Sequence, residues 1–209
     1  AEPFGRITRL RTPIVESTGT GGGFRLFCAG IGEQYPDIAD ASRPITASEK
    51  ALCKQNGVTE IIEVKIGYDG IVLANARKAP LMQVSLTQLW QALAREVPDA
   101  AGNLVANPHR TWADVDPRLP NVRIEVMGPP PTSGTRDAFV ELVMNPGCAA
   151  HPAMAAVKAA DAQRYTVACG AVREDGAYVE AGENDILIVR KLEANPDAFG
   201  IFEIGRAHV

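Results

Sequence analysis

Three short stretches of the chain carry residue types that can hold an oxyanion. In Ser17-Thr18-Gly19-Thr20-Gly21-Gly22-Gly23-Phe24, the glycines let the backbone approach a ligand closely, and the apolar run behind them predicts a helix whose N-terminal N–H groups face it. The stretch does not fit a dinucleotide fingerprint, because Phe24 stands where a third small residue belongs, and it does not match the lysine-bearing phosphate loop. Thr132-Ser133-Gly134-Thr135-Arg136-Asp137 falls between a predicted strand and a predicted helix, so hydroxyls, N–H groups and the positive end of a helix dipole converge there. In Ala41-Ser42-Arg43-Pro44, Ser42 can donate a hydroxyl and Arg43 a bidentate guanidinium fork. Each stretch also has a plainer reading: a tight glycine turn, a serine N-cap beside a surface arginine, and an exposed arginine ahead of a helix.

Catalysis by the same hydroxyls would require more. A phosphoryl-handling hydrolase using Ser133 or Thr20 as nucleophile needs a general base or a metal beside it. The histidines, His109, His151 and His208, are remote in sequence from both motifs, and no cluster of metal-ligating carboxylates stands near them. Binding is therefore expected rather than an enzyme, with no cofactor and no metal. Cys28, Cys53, Cys148 and Cys169 contain no C-x-x-C and do not read as a zinc site. Two sequence-local pairs fit disulfides Cys28–Cys53 and Cys148–Cys169, which would imply an oxidising compartment. Four buried free thiols in a cytosolic protein are the other reading.

The elements that must position these residues alternate between helical and strand patterns, the mark of an α/β chain. Thr46 with Glu49 forms a capping box for a short helix ended by Asn56-Gly57. Strands are expected at Glu60 to Ile66, from β-branched content, and at Gly70 to Ala74, as a buried strand. Ser85 with Gln88 caps a helix whose face carries Leu86, Leu89, Trp90 and Leu93, its end marked by Pro98. Val122, Ile124 and Val126 alternate as a strand leading into Gly128-Pro129-Pro130-Pro131. A helix should follow from Gly134 to about Met144 with Phe139, Leu142 and Val143 on one face. The last clear helix runs from about Asp185 to Ala194, closed by Asn195-Pro196.

The balance of residues excludes some partners. With 46% hydrophobic and 22% charged residues over 209 positions, the chain can bury a core and is not of disordered composition. A net charge of −4 and a pI near 5.5 argue against nucleic acid or an anionic membrane surface as partner. The longest apolar runs, such as Ile186 to Val189, are far shorter than the ~18 residues of a membrane span.

The segments STGTGGGF, ASRPITASE, PPPTSGTRDAF and EAGENDILIVRKLEANPDAFGIF, in this order and spacing, resemble the substrate-binding proteins of phosphate ABC transporters. The likeness runs from about Phe4 to Phe202, and the Ser-Gly-Thr-Arg element is its most specific piece. The resemblance implies an α/β, two-lobed periplasmic binding protein fold (type II), with the ligand in a cleft between lobes. It implies a monomer in the periplasm that binds inorganic phosphate and hands it to ABC transporter permease subunits. The four cysteines resemble those of one branch of the family. Carried over by motif, the phosphate-binding residues are Thr20, Gly21, Ser42, Ser133, Gly134 and Thr135. Well-known members have an Asp where Arg43 stands and an Arg where Pro129 stands, so Arg43 and Arg136 are taken as the replacing cations. Asp137 is the nearest substitute for the missing proton acceptor that separates monohydrogen phosphate from sulfate. A sensory or adhesive role on the same fold is a further alternative.

The resemblance also suggests a fragment. Family members open with a strand and a Gly-Ser-Ser-Thr-like loop that this chain starts after, which leaves the first lobe incomplete. Residues 1–77 are expected as a partial first lobe, 78–199 as the second lobe and 200–202 as the start of a return to the first. Residues 203–209 can be encoded by the opening of a common short-read sequencing adapter and are read as its translation, so His208 receives no functional weight.

Overall fold

The structure, a computed structural model, describes residues 2–16, 18–68, 70–79, 81–182 and 184–204. Ser17 of the first glycine-rich stretch and the tail from Gly205 onward, including His208, lie outside the described residues. The chain divides into two compact units, Ala1–Glu63 and Val64–Val209.

The first unit contains α1 (Glu2–Thr8), α2 (Gly19–Phe27) and α3 (Ala47–Gln55). The start of α3 follows from its sequence: the Thr46 hydroxyl accepts the Glu49 N–H, and the Glu49 carboxylate accepts the Thr46 N–H. Such a cap contributes about 1 kcal/mol. The start of α2 departs from expectation, because the glycine run forms the first turns of the helix itself instead of a loop before it. Each interior glycine costs a helix about 1 kcal/mol relative to alanine, so tertiary packing must hold α2. It does so through Phe24 and Cys28, buried with Ile45 and Cys53, and through the Cys28–Cys53 disulfide that ties α2 to α3.

No strand forms over residues 60–66, and Ile62, Val64 and Ile66 are exposed there. β-branched content describes a side chain suited to a pleated, half-buried surface, not the presence of a neighbour to pair with. None of the paired strands among the described residues runs alongside this segment.

The second unit runs β1 (Ile71–Asn75), α4 (Leu86–Leu93), β2 (Glu96–Pro98), β3 (Leu104–Ala106), α5 (Trp112–Val115), β4 (Val126–Gly128), α6 (Gly134–Phe139), α7 (Asn145–Ala149), α8 (Met154–Ala160), α9 (Ala162–Gly170), β5 (Tyr178–Glu180), α10 (Asp185–Ala194) and β6 (Phe199–Glu203). Four strands form a mixed sheet in the order β1-β6-β4-β5. β1 is antiparallel to β6, with Ile71 opposite Glu203, while β4 is parallel to both β5 and β6. The pairing places β1 in the second unit, and as an edge strand it is half-buried, not the fully buried strand expected of Gly70 to Ala74. β2 and β3 form a separate antiparallel pair, so Pro98 ends a strand, five residues beyond the last residue of α4.

A π-helical turn, Val140–Met144, joins α6 to α7 and carries the helix five residues past its expected end. A π turn advances the helix face by an extra residue, which explains why Leu142 points into solvent while Phe139, Met144, Gly147 and Cys148 are buried. Gly147 lets α7 lie against α4, since a Cβ there would fall 2.2 Å from the Leu86 carbonyl oxygen. The core of this unit contains Trp90, Leu93, Trp112, Ile124, Val126, Phe139 and Met144, stapled by Cys148–Cys169. No helix among the described residues is long and apolar enough to cross a membrane.

Candidate functional site

Thr20 and Gly21 lie in the first turn of α2, and Ser42 and Arg43 in the loop before α3. Thr20 is buried, and its hydroxyl oxygen is 3.0 Å from Ser42 Oγ while accepting the Ser42 N–H at 3.2 Å. The adjacent Arg43 is half-buried and reaches back over the Phe24 ring, its guanidinium carbon 5.4 Å from the centroid. Arg43 Nη2 is the nearest atom to the space beside Gly21, 4.0 Å from where a Cβ would stand. The fork is paired with Glu49: Nη1 donates to Oε2 and Nη2 to Oε1, each at 2.9 Å, and Nη1 also donates to the Pro44 carbonyl at 3.1 Å. Hydrogen bonds from Arg43, aided by those from Thr46, hold the Glu49 carboxyl down at about 2 against an ordinary 4.5.

In the second unit Ser133 is the N-cap of α6, fully buried, its hydroxyl accepting the Thr135 N–H at 3.2 Å. Gly134 is buried beside it. Thr135 Oγ1 donates to Glu203 Oε1 at 2.7 Å, from helix to the end of β6. Arg136 folds back against Tyr178, its guanidinium 4.4 Å from the ring centroid, and donates to the Pro129 carbonyl at 3.3 Å. Tyr178 donates its phenol to the same carbonyl at 2.7 Å, and burial pushes that phenol's pKa up. Asp137 sits in the first turn, its backbone N–H bonded to the Ser133 carbonyl.

Residues 1–205 match the PBP superfamily domain family. The chain belongs to that family. Among its curated relatives is Protein SphX of Synechococcus elongatus, 30% identical over 145 residues, which cover 69% of this chain and 39% of that protein. The phosphate-binding protein PstS of Staphylococcus saprophyticus is 30% identical over 146 residues, covering 70% of this chain and 41% of that one. The chain thus spans about two fifths of the length of these relatives, 39% and 41%. Two solved structures share the fold. One is a possible phosphate binding protein from Planctomyces limnophilus, with TM-score 0.53, 26% identity, and coverage of 97% of this chain and 58% of that one. The other is a candidate phosphate ABC transporter substrate-binding protein from Clostridium perfringens with bound phosphate, with TM-score 0.58, 22% identity, and coverage of 100% and 65%. The α/β fold is therefore the type II fold of this superfamily.

Within each unit the structure brings together residues far apart in sequence. Thr20 meets Ser42 in the first, and Thr135 meets Glu203 in the second. Sequence reasoning placed Glu49 in a capping box and missed its pairing with Arg43. Opposite charges six residues apart, one before a helix and one in its first turn, were the available signal. The shelf made for Arg136 by Tyr178 and the Pro129 carbonyl had no local signal, because those atoms are brought together by β4 and β5.

Proposed function

We propose that this chain is the ligand-binding part of a substrate-binding protein that captures inorganic phosphate in the periplasm and delivers it to an ABC transporter permease. In this reading the residues that contact phosphate are Thr20, Gly21, Ser42, Arg43, Ser133, Gly134, Thr135 and Arg136. The observation that carries it is the closure of the Thr20 hydroxyl onto Ser42, with the Arg43 guanidinium held alongside. A tetrahedral dianion leaving water needs several neutral donors and a fixed cation, and these hydroxyls, the N–H groups of a helix's first turn and an arginine fork are that set. Glycine at position 21 keeps the approach to the first turn open on the side of Arg43. The names of the matched relatives support the choice of phosphate among oxyanions.

The work done here is binding, not bond cleavage: Thr20, the hydroxyl that a hydrolase would use in the first unit, is engaged by Ser42, which is not a general base. Isothermal titration with phosphate, and with sulfate as control, tests the reading. Arg43→Ala and Arg136→Ala should each weaken phosphate by about 2–5 kcal/mol, the cost of removing one charged partner from a desolvated anion. Unchanged affinity in both variants would remove the two arginines from the site, and equal binding of sulfate would remove phosphate selectivity.

A further inference from the structure

The loop carrying Ser42 and Arg43 is tied at these two adjacent residues to two different helices. Ser42 closes onto Thr20 in the first turn of α2. Arg43 closes onto Glu49 in the first turn of α3 through both of its terminal nitrogens, at 2.9 Å each. The guanidinium also lies over Phe24, one turn beyond Thr20 on α2. Glu49 is itself fixed, its Oε2 accepting the Thr46 N–H and the Thr46 hydroxyl at 2.8 Å each. The Cys28–Cys53 disulfide joins the far ends of α2 and α3, so the frame is closed on every side.

We infer that Glu49 is a positioning residue of the anion site, orienting the Arg43 guanidinium beside the Thr20–Ser42 hydroxyl pair without itself touching the ligand. The inference rests on the phosphate reading above. A planar fork paired along its two terminal nitrogens has its plane fixed by the carboxylate, whereas an unpaired arginine would lose its rotamer freedom when the ligand arrives. Glu49 is also unsuited to take the proton of monohydrogen phosphate. Its two oxygens already receive donors from Arg43, the Thr46 N–H and the Thr46 hydroxyl, and these keep it ionised.

The opposing view of Glu49 makes the opposite prediction. If the carboxylate merely neutralises Arg43, removing its charge leaves a bare cation near an anion and phosphate binds more tightly. If it positions Arg43, Glu49→Gln binds phosphate about tenfold more weakly, because orientation must now be supplied on binding. In an Arg43→Ala background the same Glu49→Gln change should then have no further effect. The side-chain Nε–H resonance of Arg43, read by NMR without ligand, gives a second measure: a distinct, restricted signal in the native chain and an averaged one in Glu49→Gln, with the backbone spectrum otherwise retained. Unchanged or tighter phosphate binding in Glu49→Gln overturns the inference, as does an Arg43 signal indifferent to the substitution. A native chain that binds no phosphate, yet loses Arg43 order in Glu49→Gln, overturns the phosphate reading and keeps the positioning contact.

Discussion

Thr20 Oγ1 is 3.0 Å from Ser42 Oγ and accepts the Ser42 N–H, so a single buried hydroxyl closes α2 onto a loop 22 residues further along the chain. Thr20→Val keeps the shape and removes the oxygen, leaving the Ser42 N–H without that acceptor. Loss of such a partner costs about 1–3 kcal/mol, and the phosphate affinity should fall about tenfold or more as the loop loses its anchor. Urea unfolding and titration with phosphate check the two effects separately, and a variant matching the native chain in both would break the link between this contact and the site.

Acid should unfold the chain through its paired carboxylates. Glu49 is held at about 2 against 4.5, chiefly by the hydrogen bonds of Arg43, and Asp175 at about 2 against 3.8, chiefly by those of Arg173. Both bind protons more weakly folded than unfolded, so their stabilisation is complete above pH 4.5 and is lost as pH falls toward 2. Urea midpoints measured between neutrality and pH 2.5 should decline steeply at the acid end, and Glu49→Gln and Asp175→Asn should each flatten that decline. A native midpoint independent of pH in this range would contradict the pairing of both carboxylates.

What could be read in the sequence was local. The capping residues Thr46, Ser85 and Ser133 stand where their side chains predict, because a cap needs only atoms two or three residues away. The two cysteine pairs were legible from their separation, and the three oxyanion-type stretches fall at or just before helix starts. What failed was what depends on remote partners. The segment 60–66 has strand residues and no paired strand among the described residues, α2 is helical across four glycines because Phe24 and Cys28 are buried with Ile45 and Cys53, and the π turn at Val140–Met144 shifts a face that periodicity alone placed wrongly. The alanine-rich α8 and α9 offered few large apolar residues from which to read a period.

The disulfides are expected to act as independent staples. Peptide mapping without reductant should recover Cys28 joined to Cys53 and Cys148 joined to Cys169, spanning 25 and 21 residues. Closing loops of this size contributes roughly 3 kcal/mol each through the entropy of the unfolded chain. The double variant Cys28→Ser/Cys53→Ser should also weaken phosphate binding, since α2 and α3 carry Thr20 and Glu49. Crossed pairs in the map, or a double variant as stable as the native chain, would count against these staples.

Arg173 of the second unit is a buried arginine that hydrogen-bonds to three backbone carbonyls. It is only 2% exposed, and its donors are aimed at backbone that would otherwise lack partners: Nη1 at the carbonyls of Ala92 and His109, at 3.1 and 2.9 Å, and Nη2 at that of Asn107, at 3.4 Å. Its charge is met by Asp175, which accepts from Nε at 2.8 Å and from Nη2 at 2.5 Å. Its own N–H meets the Leu93 carbonyl at 2.9 Å, so one residue satisfies two carbonyls in the last turn of α4, the helix that packs Trp90 and Leu93 into the core. Arg173→Met fills much of the volume but strands three carbonyls and one side of a carboxylate. Asp175 is partly exposed and keeps Arg110 as a partner, so the cost falls on the carbonyls, about 1–3 kcal/mol for each buried one left without its donor. Arg173→Lys should recover little of it, because a single ammonium cannot reach carbonyls and carboxylate arrayed around a planar fork. Urea denaturation gives the magnitude, and hydrogen exchange gives the place, with faster exchange expected at the end of α4 and around residues 107–109. An Arg173→Met variant within about 1 kcal/mol of the native chain, less than the cost of stranding these carbonyls, would mean that they find other partners and that the arginine is dispensable to the fold.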